Sequence, residues 1–148
     1  MTDLRQVFDD LVRFETMLWA AVDERLQRES ELSLGSFNVM LIIDSTPSCR
    51  VFDIAQAVVI TVGGASQAVD RLEKSGWCIR TPHPTDRRSS VVELTAEGKK
   101  LFDRAAPVFD DELQRLLGSP LAATGRAHLA EGLHTLRGSI AKRAAVTE

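Results

Sequence analysis

The chain has 148 residues, 26% of them charged and 44% hydrophobic, a composition far from disordered, collagenous or membrane classes. One core of that length buries roughly 68–70% of the surface its unfolded chain exposes, so neither disulfides nor a structural metal is needed to hold it together. The 18 basic and 21 acidic side chains sum to a net charge of -3. That sign argues against coating nucleic acid through bulk charge and leaves the distribution of charge as the informative quantity.

The first residues, Met1-Thr2-Asp3-Leu4, are followed by Asp9 and Asp10 rather than by a basic stretch and an apolar run, so no secretory signal is read. The longest apolar stretches, 39–43 and 57–60, fall far short of the roughly 20 residues that span a bilayer. A cytoplasmic protein with no membrane partner is expected. Cys49 and Cys78 are isolated thiols outside any CxxC pattern and read as reduced cytosolic cysteines, with a redox-sensing thiol as the alternative. His83, His128 and His134 lack ligand spacing, so neither a metal nor a cofactor is expected.

In chain order, apolar residues from Leu4 to Leu26 recur at three- and four-residue steps, which predicts one long helix. Phe14, Met17 and Trp19 widen its stripe beyond what one core needs, so a second burial partner is expected. Ser33 caps a shorter helix over 34–44, and a third of about two turns covers 53–59. A fourth helix over 63–75 buries Ala65, Ala68, Val69 and Leu72 and turns Gly63, Gly64, Ser66, Gln67, Asp70, Arg71 and Lys74 outward. Gly76 stops it. The period then shortens toward two, giving strands over 77–81 and 90–94 around a polar, basic hairpin tip. Thr95 caps a helix running to about 117 with Pro107 expected to kink it, and Gly118-Ser119-Pro120 precedes a last helix bearing Leu129, Leu133, Leu136 and Ile140.

This order predicts a mainly α fold with a small β-hairpin wing, its middle arranged as a winged helix-turn-helix. The B-DNA major groove admits one α-helix whose polar face reaches base edges. On the fourth helix, Gln67 suits adenine and Arg71 suits guanine in bidentate geometry, and Ser66 suits a base or a phosphate. Thr61, Gly63 and Gly64 sit where unpaired amides meet a phosphate. At the hairpin tip, Arg87 and Arg88, with His83 and Ser89 nearby, form a basic projection suited to a narrow minor groove, and Asp86 is expected to hold an arginine in position. The bland alternative for each of these residues is a solvated face.

Charge counting by segment agrees with that surface. Residues 1–34 hold 4 basic and 8 acidic groups, whereas 61–104 hold 8 and 6; within 71–92 five cations face two anions. Double-stranded DNA is therefore the expected partner, bound in a salt-dependent manner. No nucleophile-and-base pair, P-loop, GxSxG or HExxH pattern supports an enzyme.

The runs Asp70-Arg71-Leu72-Glu73-Lys74-Ser75-Gly76, Asp86-Arg87-Arg88-Ser89 and Leu94-Thr95-Ala96-Glu97-Gly98 resemble, in order and spacing, the DRLE-x-x-G, DxRR-S and LT-x-x-G patterns of the multiple-antibiotic-resistance regulator (MarR) family. The resemblance implies a single MarR-type domain over 1–148, with 1–32 and 96–148 forming the dimerisation region and 33–95 the DNA-binding lobe. It implies a homodimeric transcriptional regulator, a ligand-responsive repressor on a palindromic operator, with Ser66, Gln67 and Arg71 at recognition positions and Arg88 as the wing arginine partnered by Asp86. It further implies a small effector, often anionic or aromatic, bound between the dimer body and the DNA-binding lobe. Trp19 is the candidate to line that pocket, with a place in the core as its alternative. Gln67 stands where the family often has arginine, Gly63-Gly64 where Ser or Thr is usual, Val59 where a turn glycine is common, and Phe52 where a capping Ser or Thr is common. The competing reading is a winged-helix dimer that binds ligand or protein without specific DNA recognition.

Overall fold

The computed structural model describes residues 1–146, with two compact packing units, one of residues 1–109 and one from residue 110 onward. In the first unit, α1 spans Leu4–Ser30 and starts on Asp3, whose side chain accepts from Arg5 N at 2.9 Å. Only Val22 and Leu26 of α1 are buried; Leu4, Val7, Phe8, Leu11, Phe14, Met17 and Trp19 remain exposed. The broad stripe read from the sequence is thus mostly exposed among the described residues.

Helix α2, Leu34–Ser45, is capped by Ser33 and tied to α1 through Asp23, which accepts from Leu34 N at 2.8 Å. Its Phe37 is fully buried and lies against the rings of Phe102 and Phe109, with centroids 5.4 and 4.6 Å away. This aromatic cluster, with Met40, Ile54, Val69, Leu72 and Val92, makes the core of the unit. Burial of each large side chain stabilises the fold by about 1.5–3 kcal/mol.

Helix α3 spans Val51–Val58, two residues earlier at its start than the sequence pattern suggests. Its N-cap is Arg50, not Phe52, and Asp53 closes the first turn by accepting from the Arg50 amide at 2.8 Å. Val59 ends the helix at φ 57° and ψ 51°, a left-handed conformation that a β-branched residue adopts only at a cost. Helix α4, Val62–Lys74, follows and takes both Gly63 and Gly64 inside its first turn. Ala65, Val69 and Leu72 face the core, while Ala68 is only half-buried.

The exit from α4 is a Schellman turn: Gly76, at φ 77°, donates to Glu73 O and Trp77 N donates to Leu72 O, both at 3.0 Å. Trp77 is thereby used to close the helix, and strand β1 begins one residue later than expected, at Cys78–Pro82. It pairs antiparallel with β2, Ser90–Leu94, in the register Cys78↔Leu94 to Pro82↔Ser90.

Helix α5 spans Ala96–Leu113 and contains Pro107. It stops four residues short of the expected end because residues Gln114–Gly118 form one π-helical turn, closed by Ser119 N on Gln114 O at 2.7 Å. In the second unit, α6 runs Ala123–Val146, and Leu129, Leu133, Leu136 and Ile140 form an exposed apolar stripe along it. No single helix among the described residues is long and apolar enough to cross a membrane.

Candidate nucleic-acid interface

Helix α3, the turn through Val59-Ile60-Thr61 and α4 form a helix-turn-helix whose second helix keeps one face in the core and the other in solvent. Thr61 is the N-cap of α4, and its hydroxyl accepts from Gly64 N at 3.0 Å. Gln67, Arg71 and Lys74 lie exposed on the outer face, and among the described residues none of the three has a side-chain hydrogen bond or ion pair.

Ser66 is half-buried and already engaged. Arg80, on β1, donates from Nη2 to both the carbonyl and the hydroxyl of Ser66 at 3.2 Å, while its Nη1 bridges Asp70 at 2.8 Å and Glu73 at 2.7 Å. The Arg80 amide also donates to Glu73 at 3.1 Å. Arg80 is therefore a strut between the wing and α4, and it drops out of the basic balance that the sequence count assigned to 71–92. The acidic residues of the DRLE run face this strut.

The wing tip is ordered from within. His83 N donates to Ser89 O at 3.1 Å, and Ser89 N to Asp86 O at 3.2 Å. His83 Nδ1 accepts from the amides of Thr85 and Asp86 at 3.2 and 3.1 Å, so the ring is turned into the loop. Asp86 does hold an arginine, but it is Arg50 and not Arg88. Its Oδ2 lies 3.6 Å from Arg50 Nη1, while its Oδ1 accepts only the backbone amide of Arg88 at 3.0 Å. Arg50 also approaches His83, with Nη2 2.6 Å from Nε2. The α3 cap residue thus pins the wing, and the guanidinium groups of Arg87 and Arg88 project without a partner among the described residues.

Arg50 and Arg80 are the residues that sequence reasoning missed. Arg50 meets its wing partner across 33 positions of sequence, a distance that leaves no local signal. Arg80 meets Asp70 and Glu73 through the strand-to-helix packing, and the signal that could have found it is the pair of acids three residues apart on α4.

Inside the first unit a cavity of about 430 Å³ opens beside α4. Trp19 and Ile60 line it with Ser36, Asn38, Ala68 and Arg71, and no acidic side chain faces it. Trp19 is thus a wall residue and not core. Arg71 belongs both to this wall and to the exposed face of α4.

Cys49 and Cys78 are buried, and burial is the main cause that pushes each thiol from 9.0 up to about 11, assisted by the negative charge of Asp53 at Cys49 and of Glu73 at Cys78. Both stay protonated at neutral pH, the opposite of a sensing thiolate. Among the described residues no three His, Cys, Asp or Glu side chains gather as a metal site.

Residues 32–90 match the family model of the MarR family. The HTH-type transcriptional regulator BilQ of Clostridium symbiosum (strain WAL-14163) is 32% identical over 94 residues, which cover 64% of this chain and 65% of BilQ, just under two thirds of that relative's length. The crystal structure of Sco3205, a MarR family transcriptional regulator from Streptomyces coelicolor, in complex with DNA, superposes with a TM-score of 0.87 at 26% identity, covering 95% of this chain and 93% of Sco3205. A structure of Bordetella bronchiseptica BpsR, whose DNA binding is regulated by 6-hydroxynicotinic acid, has the same fold at 23% identity, with a TM-score of 0.78 and coverage of 89% and 98%. With its helix-turn-helix, its two-stranded wing and these matches, residues 32–90 of the chain match the MarR family, and the fold is that of MarR family winged-helix structures.

Proposed function

We propose that this chain is a sequence-specific DNA-binding transcriptional regulator that acts as a homodimer, with α4 in the major groove and Arg88 of the wing in the adjacent minor groove. The observation that carries the reading is the sorting of the basic residues. Arg50 and Arg80 are held inside the lobe, whereas Arg71, Arg87 and Arg88 have no partner among the described residues and stand on one helix face and one hairpin tip. Unpartnered cations at those two places match the groove and the phosphates of a duplex. Thr61, Gly63, Gly64, Ser66, Gln67, His83, Asp86 and Ser89 complete the proposed surface, with Ser66, His83 and Asp86 acting by holding its shape.

The dimer is proposed through 1–32 and 96–148, of which 147–148 lie outside the described residues. The exposed apolar face of α1 and the exposed stripe of α6 support it, since each is surface that water would otherwise cover. Two lobes related by a two-fold axis would meet a palindromic operator in successive grooves about 34–36 Å apart. A cytoplasmic location follows from that partner. Regulation is proposed as release of a repressor by a small anionic or aromatic effector in the Trp19 cavity. Arg71, the one charged group on that wall, is also a reading residue, so an anion there would compete for it. The likeness to BpsR in fold supports a ligand-responsive device of this kind. No catalytic role is proposed.

Titrating the purified chain against promoter fragments flanking its own gene tests the reading. Selective binding is expected, and Arg71→Ala should relax discrimination at one base position by about 1–3 kcal/mol. Absence of a selective complex with any fragment would favour a module that binds ligand or protein alone.

A further inference from the structure

A recognition helix enters the groove with its N-terminal residues nearest the base edges. At the start of α4 most of the side chains suited to that task are missing or occupied. The Thr61 hydroxyl is turned back onto Gly64 N, and Gly63 and Gly64 have no side chain to offer. One turn on, the Ser66 hydroxyl accepts from Arg80. Over the first two turns, the side chains left facing solvent without a partner among the described residues are Val62, at the first helical position, and Gln67.

Val62 is 52% exposed, and Val59 and Ile60 beside it in the turn are 77% and 45% exposed, so the leading edge of the reading helix is an apolar patch. Valine is held to one rotamer in a helix, which fixes its methyl groups before any partner arrives. The glycine at 63 leaves the space beside it open, with nothing within 4 Å of where a Cβ would stand. On the major-groove edge of B-DNA the apolar group offered is the C5-methyl of thymine; the other edge groups are hydrogen-bond donors and acceptors.

We propose that Val62 is a specificity-determining residue that packs against a thymine C5-methyl group, in a half-site where Gln67 reads adenine. The inference rests on the DNA-binding reading above and adds a chemical class of contact to it. Hydrophobic contact would then add to the polar readout that Gln67 and Arg71 supply from the same helix.

The test starts from a randomised duplex pool selected with the full chain. Each thymine of the selected half-site is then replaced singly by deoxyuridine, which removes the methyl and keeps the pairing edge. Fluorescence anisotropy at one salt concentration should find one thymine per half-site whose replacement weakens binding about three- to fivefold, the value of one buried methyl-sized group. Val62→Ala should bind the thymine and uracil duplexes alike at that position. A selected duplex at which no replacement weakens binding would overturn the inference and leave the regulator reading standing. Retention of the same penalty in Val62→Ala would also overturn it. Failure of the pool to yield any preferred sequence would overturn both.

Discussion

Replacing Gly98 with alanine tests why a glycine follows the cap of α5. A Cβ built at this position would lie 1.9 Å from the carbonyl oxygen of Trp77, 2.7 Å from its carbonyl carbon and 3.0 Å from its Cα. All three are backbone atoms, and they cannot swing aside. Trp77 O accepts from Thr95 N at 3.0 Å, Trp77 N closes α4 on Leu72, and the Thr95 hydroxyl donates to Gly76 O at 2.6 Å while accepting from Gly98 N at 3.0 Å. Relief needs a displacement of roughly 1 Å between the start of α5 and the exit of α4. Overpacking of this kind costs about 1–3 kcal/mol, and losing one backbone bond adds about 1 kcal/mol. Gly98→Ala should therefore destabilise the fold by about 2–4 kcal/mol, which lowers Tm by about 5–15 °C for a chain of this size. Thermal unfolding followed by circular dichroism, at one fixed protein concentration, reads it. A melting temperature within 2 °C of the parent would refute the close approach.

Val59→Gly should stabilise the chain by about 1 kcal/mol in urea denaturation, because the left-handed turn residue then loses its Cβ strain. Arg50→Ala should speed amide exchange at Asp86 and Ser89 while leaving exchange in α2 unchanged, since it removes the pin on the wing tip. The two thiols carry a pH dependence. Their folded values near 11 lie above the ordinary 9.0, so the unfolded chain loses these protons first, and the stability present below pH 9 is lost as pH rises from about 9 to 11. Cys49→Ala and Cys78→Ala should each flatten that alkaline decline in denaturation curves, and native protein should resist thiol reagents that label the unfolded chain.

The helices and the wing were legible because their signals are local. Periodicity marked α1, α2 and α4, Ser33 and Thr95 are the caps they were read to be, and Gly76 ends α4 in the expected conformation. Boundaries moved where one residue answers to two elements: Trp77 has strand composition, yet its amide is needed to close α4. The candidate interface was legible as a set of residue types and not as a set of free groups. Arg80 and Arg88 look alike in a count of charges, but one is held by two carboxylates and the other projects from the tip. The partner of Asp86 was misread for the same reason, since Arg50 reaches it only through the packing of α3 against the hairpin. The LT-x-x-G pattern is an instructive intermediate case: its glycine is visible in the sequence, and only the approach of Trp77 explains it.

The central claim is that free arginines on α4 and the wing bind a duplex, and its most direct measurement is the salt dependence of that binding. Anisotropy titrations of one selected promoter duplex at several salt concentrations should give a steep linear fall of log affinity with log salt. Arg88→Ala should weaken binding and reduce that slope by about 1, the loss of one phosphate-neutralising contact. Binding that ignores salt, or a slope that Arg88→Ala leaves unchanged, would contradict the account.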